Sequence, residues 1–204
     1  MNVPWVELPG ETPIDLSGLT NKARALGIET RNDLSALEAQ NIRGVVVKYL
    51  SAKPSDSLAP FDFAWVLKVH GEMFNDVWQW AGQTRTGDVN IGAPVYNIQG
   101  DLFGLLRDLP TWTGYAMPLI EQAARLHHRA VAIHPFPNGN GRWSRMIGNI
   151  WLKRHGAPVI DWPEETFGQH SIIREKYIAA VKAADTGDYK ALIELHEQYA
   201  QKAA

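Results

Sequence analysis

The chain has 204 residues, 45% hydrophobic and 21% charged, with a formal net charge of −2. That is the composition of one globular unit with a sizeable core, and the near-neutral balance leaves no electrostatic footprint for nucleic acid. The absence of cysteine excludes disulfides, thiol nucleophiles and thiolate metal sites and suits a reducing compartment.

Residues 1–15 are rich in Pro and acidic residues and read as an extended arm, with Trp5 free to reach a second subunit of a homo-oligomer. They show no basic segment followed by an apolar stretch, and no later run approaches the length of a membrane span, so a cytoplasmic protein without a membrane partner is expected. A helix start at Thr30-Arg31-Asn32-Asp33 is followed by apolar positions at Leu34, Leu37 and Ile42, and the helix reads on through Val45 to Leu50. Residues 53–60 form a Pro- and Ser-rich loop. Phe63, Val66, Leu67, Val69, Met73, Phe74 and Val77 keep helical spacing. Residues 84–98 carry Gly87, Gly92 and Pro94 among Val89, Ile91 and Val95, which is either a short β-hairpin or an irregular loop. Helices are then expected over 101–109, 118–133, 142–155, 166–184 and 189–202, with breaks at Gly156, Pro158 and Gly187. The sum is a mainly α fold with one small β element. Residues 1–44 form an arm packed on a domain spanning 45–204. Eight tryptophans are spread along the chain, as core and surface packing requires.

Between two of these helices lies His134-Pro-Phe-Pro-Asn-Gly-Asn-Gly-Arg-Trp-Ser-Arg145. A glycine-framed turn into a helix aims backbone N–H groups and the positive end of the helix dipole at one point, where an anion binds. Arg142 and Arg145 are three apart and share a helix face. Arg142 would stand in the first turn, where the dipole disfavours a cation unless an anion is bound. His134 at the mouth supplies a base near neutral pH. The segment is not a nucleoside-triphosphate P-loop, because no Gly-Lys-Ser/Thr follows its glycines. Nor is it a dinucleotide fingerprint, because the third glycine is missing and no strand precedes it. His70, His127 and His128 lack metal-ligand spacing and read as core or supporting histidines.

The segment resembles the signature of the Fic family, H-x-F-x-(D/E)-G-N-G-R-x-x-R, through His134, Phe136, Gly139, Asn140, Gly141, Arg142 and Arg145. Residues 67–82 look like the family's upstream helix and its exit, and residues 177–189 like its C-terminal helix pair. The similarity covers roughly residues 45–195. The Pro and Asn ahead of Gly139 are similar to a bacterial branch called mobile mystery protein B.

The resemblance implies a Fic-type helical bundle with a small β-hairpin flap that transfers AMP from ATP to a Ser, Thr or Tyr hydroxyl of a target protein. It makes His134 the base, and the backbone of Gly139 to Gly141 together with Asn140, Arg142 and Arg145 the phosphate cradle. Tyr177, Val181 and Asp185 would line the adenosine pocket. Val89, Asn90, Ile91 and Gly92 would be the flap that pairs with the target backbone by strand addition. Asn138 stands where the family carries Asp or Glu to hold Mg²⁺. Either Mg²⁺ binds mainly through ATP's own phosphates with Asn138 as a weak ligand, or another acid such as Asp88 helps, or the activity is weak or altered. The first of these is preferred. In many relatives an inhibitory helix, (S/T)-x-x-x-E-(G/N), places its Glu on the second motif arginine. Glu38 is the candidate here, although Ser35 is three residues before it and Ala39 follows. The alternative functions are a feeble nucleotide-binding or regulatory module, and a toxin-like component held by a small partner protein.

Overall fold

The computed structural model describes residues 14–164 and 171–201. Trp5, most of the arm, the start of the helix expected at Thr166 and Lys202 lie outside the described residues. The described elements are α1 (Asn21–Ala25), α2 (Arg31–Leu50), α3 (Phe63–Phe74), α4 (Ile98–Gly114), α5 (Leu119–Ile133), α6 (Asn140–Arg154), α7 (Ile172–Asp185) and α8 (Lys190–Tyr199). Single 3-10 turns occupy Leu16–Gly18 and Val95–Asn97.

Caps explain where the helices begin. Thr30 Oγ1 accepts the Asp33 N–H at 3.2 Å and the Asp33 carboxylate accepts the Thr30 N–H at 2.9 Å, a reciprocal box that starts α2. Asp62 accepts the Trp65 N–H at 2.8 Å and starts α3. The α2 helix runs unbroken through residues 44 and 45, so the helix bearing Glu38 is the one that packs on α3 and α6. The α4 helix extends on both sides of the expected 101–109, passing Pro110 to reach Gly114. Proline cannot donate to the helix ladder, but packing of Leu102, Leu105 and Leu109 holds the helix through it.

The α5 and α6 helices form the central pair, with α2, α3 and α4 on one side and α7 and α8 on the other. The core between them is aromatic. Trp143 is fully buried and donates its Nε1–H to the Val66 carbonyl at 2.9 Å, and Trp151 donates to Gln122 at 3.0 Å. Each indole thus buries its ring without an orphaned donor. The expected β-hairpin flap does not form: residues 84–94 hold no strand. Among the described residues β pairing is limited to isolated antiparallel bridges, Leu19 with Trp78 and Ile160 with Ala200. Residues 84–94 are an irregular loop, because Gly92 at φ 106° and two closely spaced bends leave no extended run long enough to pair.

Candidate active site

The loop joining α5 to α6 is locked from within. His134 caps α5 in the left-handed region (φ 52°), with its N–H on the Ala130 carbonyl at 3.2 Å. Asn140 clasps Phe136: its Oδ1 accepts the Phe136 N–H at 2.9 Å and its Nδ2 donates to the Phe136 carbonyl at 2.8 Å. The Asn140 amide thus shapes the loop, using its Oδ1 and one of the two Nδ2 hydrogens. The buried Phe136 ring stacks on His70 at 3.6 Å. His70 Nδ1 accepts the Gly82 N–H at 2.9 Å, so its Nε2 carries the proton and donates to the Asn138 carbonyl at 3.1 Å. Burial lowers the His70 pKa to about 3, which keeps this tautomer neutral. Gly139 sits at φ 79°, and a Cβ there would lie 2.7 Å from the Phe74 ring, so both backbone and space require glycine.

The segment before α4 is tied to the same loop through Arg85. Its N–H donates to the Pro135 carbonyl at 2.9 Å and its Nε to the His134 carbonyl at 2.8 Å, while its guanidinium also reaches the Gly87 and Ala93 carbonyls. The Ala93 N–H donates to the Ile133 carbonyl at 3.2 Å. Gly92 lies so close that a Cβ would come 2.5 Å from His134 Cβ. Burial, and then the Arg85 charge, push the His134 pKa down to about 4, against an opposing pull from the Val131 carbonyl. His134 is neutral at pH 7 and can accept a proton there.

His134 opens into a cavity of about 840 Å³, within the size range of small-ligand sites. Asn138, Gly139, Asn140, Gly141, Arg142, Arg145, Glu38, Ile91 and Tyr177 also line it. Gly139 stands at the cap position of α6 and brings no side chain to the first-turn N–H groups, which leaves the helix start open to an anion.

The arginines go to different acids. Glu38 does not reach Arg145, as the inhibitory pattern implied. It takes Arg142, at 2.6 Å and 3.3 Å, and accepts the Trp78 Nε1–H at 2.7 Å. The reason is depth: Arg142 stands in the first turn of α6 beside α2, with its guanidinium 4.8 Å over the Phe74 ring, whereas Arg145 is one turn further in. Arg145 is held by Glu164, Nε to Oε1 at 2.7 Å and Nη2 to Oε2 at 2.5 Å. Burial works to lower the Arg145 pKa, but Glu164 and then Tyr177 outweigh it and the net direction is up.

Tyr177 heads a directed chain behind Arg145. Arg145 Nη1 donates to the Tyr177 oxygen at 3.4 Å, and the phenol pairs with His127 Nε2 at 2.9 Å. His127 Nδ1 lies 3.3 Å from His196 Nε2, and His196 Nδ1 donates to the Leu192 carbonyl at 2.7 Å. That last bond fixes every proton upstream: His196 accepts from His127, and His127 accepts from Tyr177. The other two residues expected around adenosine do not line the cavity. Val181 packs with Ala124, Ala180, Ala184 and Leu192 against α5 and α8, and Asp185 accepts from His128 at 2.9 Å. They share the Tyr177 face of α7, but each four-residue step climbs about 6 Å, which carries them past the cavity.

Of the expected flap, Ile91 faces the main cavity. Val89 and Asn90 line a separate hollow with Asp88 and Pro137. Asp88 accepts the Val95 N–H at 2.8 Å and lies 3.5 Å from Arg85, so it organises the flap and does not line the main cavity. Asn138 Oδ1 accepts the Gly139 N–H at 2.6 Å. Sequence reasoning missed Arg31, Arg85, Glu164 and Arg174. None belongs to a local motif, and each reaches the site only through folding.

Residues 60–152 match the model of the Fic/DOC family. The chain carries a Fic/DOC family domain. It is 35% identical over 120 residues to protein adenylyltransferase fic-1 of Caenorhabditis briggsae, covering 55% of this chain and 22% of that one. It is 28% identical over 171 residues to protein adenylyltransferase Fic of Aedes aegypti, covering 81% and 32%. The chain thus spans less than a third of the length of these curated relatives. In three dimensions it superposes on Fic-1 (residues 134–508) of Caenorhabditis elegans with a TM-score of 0.67 at 24% identity, covering 85% of this chain and 50% of that one. It superposes on BepC of Bartonella tribocorum, solved with bound AMPPNP, with a TM-score of 0.63 at 20% identity, covering 93% and 99%. These structures share the Fic fold, and the motif at 134–145 falls inside the matched domain. Among the described residues no helix is long and apolar enough to cross a membrane.

Proposed function

We propose that this Fic domain transfers AMP from ATP to a Ser, Thr or Tyr hydroxyl of a target protein. The observation that carries the reading is a buried, neutral His134 on the wall of a cavity whose other end holds Arg142, Arg145 and the open start of α6. In the reaction the target oxygen attacks the α-phosphorus, the bond to the departing pyrophosphate breaks, and His134 takes the hydroxyl proton. Acid–base placement of this kind contributes about 10²–10⁴-fold. The α6 N-terminus and the two arginines neutralise the phosphates, so positioning and charge supply the rest. A target strand laid beside residues 89–92 would bring its hydroxyl to His134, given the closeness of Gly92 to that side chain. The target, a cytoplasmic setting, a small regulatory partner and self-association belong to this reading.

A protein-built Mg²⁺ site does not fit the residues. Among the described residues no three His, Cys, Asp or Glu side chains gather as a metal site, and Asn138 gives its amide oxygen to Gly139. Any Mg²⁺ would arrive on the nucleotide's own phosphates. A second reading, a feebly active regulatory module, is favoured by one observation: both motif arginines are already paired with carboxylates. Glu38 is then a brake acting through Arg142.

The test uses ATP labelled at the α- or γ-phosphate, with the parent, His134→Ala and Glu38→Gly proteins. Label transferred from the α-position alone, lost in His134→Ala and raised in Glu38→Gly self-modification, is the expected result. Transfer from the γ-position would overturn AMP transfer. Nucleotide binding with no transfer in any variant or lysate would put the regulatory reading first.

A further inference from the structure

The loop before α4 and the motif loop stand between two hollows. Ile91, His134 and Asn138 line the main cavity, whereas residues 85–90 and Pro137 line a second hollow of about 480 Å³, and no residue lines both. Asn90 directly precedes Ile91 and Pro137 directly precedes Asn138, so each loop passes from one hollow to the other in a single residue. The second hollow is fixed to the base. Arg85 in its wall donates to the His134, Gly87 and Ala93 carbonyls, and Asp88 accepts the Val95 N–H at 2.8 Å. Its two charges are oriented. The Arg85 side chain is 3% exposed and spends its donors on backbone carbonyls, while Asp88, 3.5 Å away, is 69% exposed. Both Asp88 contacts fall on Oδ1, and among the described residues Oδ2 takes no hydrogen bond. The pair is neutral in sum, but the charge that solvent reaches is negative. Val89 and Pro137 give the same wall an apolar part. An apolar wall ending at a wet carboxylate suits a side chain with an aliphatic stem and a cationic head.

A target strand laid beside residues 89–92 directs successive side chains to opposite faces. With the modified hydroxyl turned into the main cavity, the residues on either side of it turn away from that cavity, toward the second hollow. We propose that this hollow is a specificity pocket for a lysine or arginine of the target next in sequence to the modified residue, with the stem on Val89 and Pro137 and the cation at Asp88. The pocket rests on the AMP-transfer reading for its purpose, since it selects which hydroxyl is presented to His134. It makes Asp88 a specificity residue that does not touch the reacting atoms.

The experiment is fluorescence anisotropy on the full chain, without ATP, using labelled peptides with a central threonine flanked on both sides by lysine, norleucine or glutamate. Norleucine keeps the aliphatic stem of lysine and removes the charge. The lysine peptide should bind about fivefold more tightly than the norleucine peptide, the scale of an exposed charge pair, and the glutamate peptide more weakly than either. The preference for lysine should shrink in high salt. Asp88→Asn keeps an acceptor for the Val95 N–H. It should bring the lysine and norleucine peptides within about twofold of each other and leave the norleucine peptide as it was in the parent. Equal binding of lysine and norleucine peptides by the parent, no measurable binding of the lysine peptide, or a lysine preference that survives in Asp88→Asn would each overturn the pocket. The parent series and its salt dependence decide the matter if the variant fails to fold. Labelled ATP added to the same peptides separates the two readings. A lysine preference in binding with no AMP transferred to any peptide would sink the transfer reading and leave the pocket standing. Transfer to all three peptides alike, with equal binding, would sink the pocket and leave the transfer reading standing.

Discussion

The two motif arginines sit three residues apart, yet their ion pairs are built in opposite senses. In the Glu38–Arg142 pair the acid is buried (side chain 6% exposed) and the arginine is partly wet at 29%. In the Arg145–Glu164 pair the arginine is buried at 7% and the acid is half in solvent at 46%. A buried charge is costly without a partner, whereas an exposed one returns to water. The consequence of losing a partner therefore depends on which member stays behind. For the first pair the structural debt falls on Glu38, and for the second on Arg145. An entering phosphate would be drawn to both guanidiniums but would displace two unlike acids: Glu38, held also by Trp78, and Glu164, whose side chain is half in solvent.

The sharpest break of this contrast is Arg142→Met. It strands the Glu38 carboxylate in the core with only the Trp78 donor, and should lower stability by about 3 kcal/mol in urea unfolding. Adding Glu38→Gln, which keeps an acceptor for Trp78, should restore about half of that. Arg145→Met leaves Glu164 free to hydrate and should cost about 1 kcal/mol or less. Equal losses in the two methionine variants would refute the contrast. Reversing the deletion should reverse the order. Glu164→Ala takes the carboxylate from buried Arg145 and should cost about 2 kcal/mol, more than Glu38→Gln.

The pairs also differ in what stands behind them. Arg142 is backed by Phe74 and Glu38 by Trp78, neither of which titrates near neutral pH. Arg145 is backed by Tyr177, His127 and His196. Burial lowers His127 well below 6.5 and lowers His196 from 6.5 to about 4. A lowered histidine pKa means that the unfolded chain binds the proton more readily. Stability is therefore complete above pH 6.5 and is lost as pH falls from there toward about 4. His196→Gln should flatten that slope by up to about 1.4 kcal/mol per pH unit, one histidine's share. An unchanged slope in urea titrations across this window would show that His196 is not held neutral by the fold. By the same sign, His134 at about 4 predicts that the acid limb of the rate lies well below 6.5.

Much of this was legible in the chain because the signals are local. Helical spacing and the Thr30–Asp33 box place α2, and a glycine-framed turn with a histidine and two arginines marks the site. The partners of those arginines were not legible. Glu38 could be singled out as an inhibitory candidate, but whether it meets Arg142 or Arg145 depends on how far α2 overlaps the first turn of α6. Glu164, Arg31, Arg85 and Arg174 lie outside the motif and enter the site through tertiary packing. The loop-closing role of Asn140 was not legible for a related reason: an asparagine next to glycines reads as a ligand donor, and its bonds to both backbone groups of Phe136 show only in the fold. A chain can announce that an anion site exists without announcing which side chains balance it.

The smallest expected effect tests how far the cavity extends along α7. Tyr177, Val181 and Asp185 share one helix face, so a pocket read from spacing alone includes all three. In the structure only the first lines the cavity, and Asp185 pairs with His128 at 2.9 Å with its carboxyl 54% exposed. Asp185→Asn keeps an acceptor for His128 and removes one charge that is largely solvated. Nucleotide affinity should then change by less than about 0.5 kcal/mol, the scale of an exposed pair, and AMP binding should match the parent. Tyr177→Phe removes the hydroxyl that accepts from Arg145, so it should weaken tripolyphosphate binding more than Asp185→Asn does. If Asp185→Asn instead weakened AMP several-fold while Tyr177→Phe did not, the adenosine end of the site would lie up α7, where spacing places it, and the cavity would have been assigned the wrong boundary.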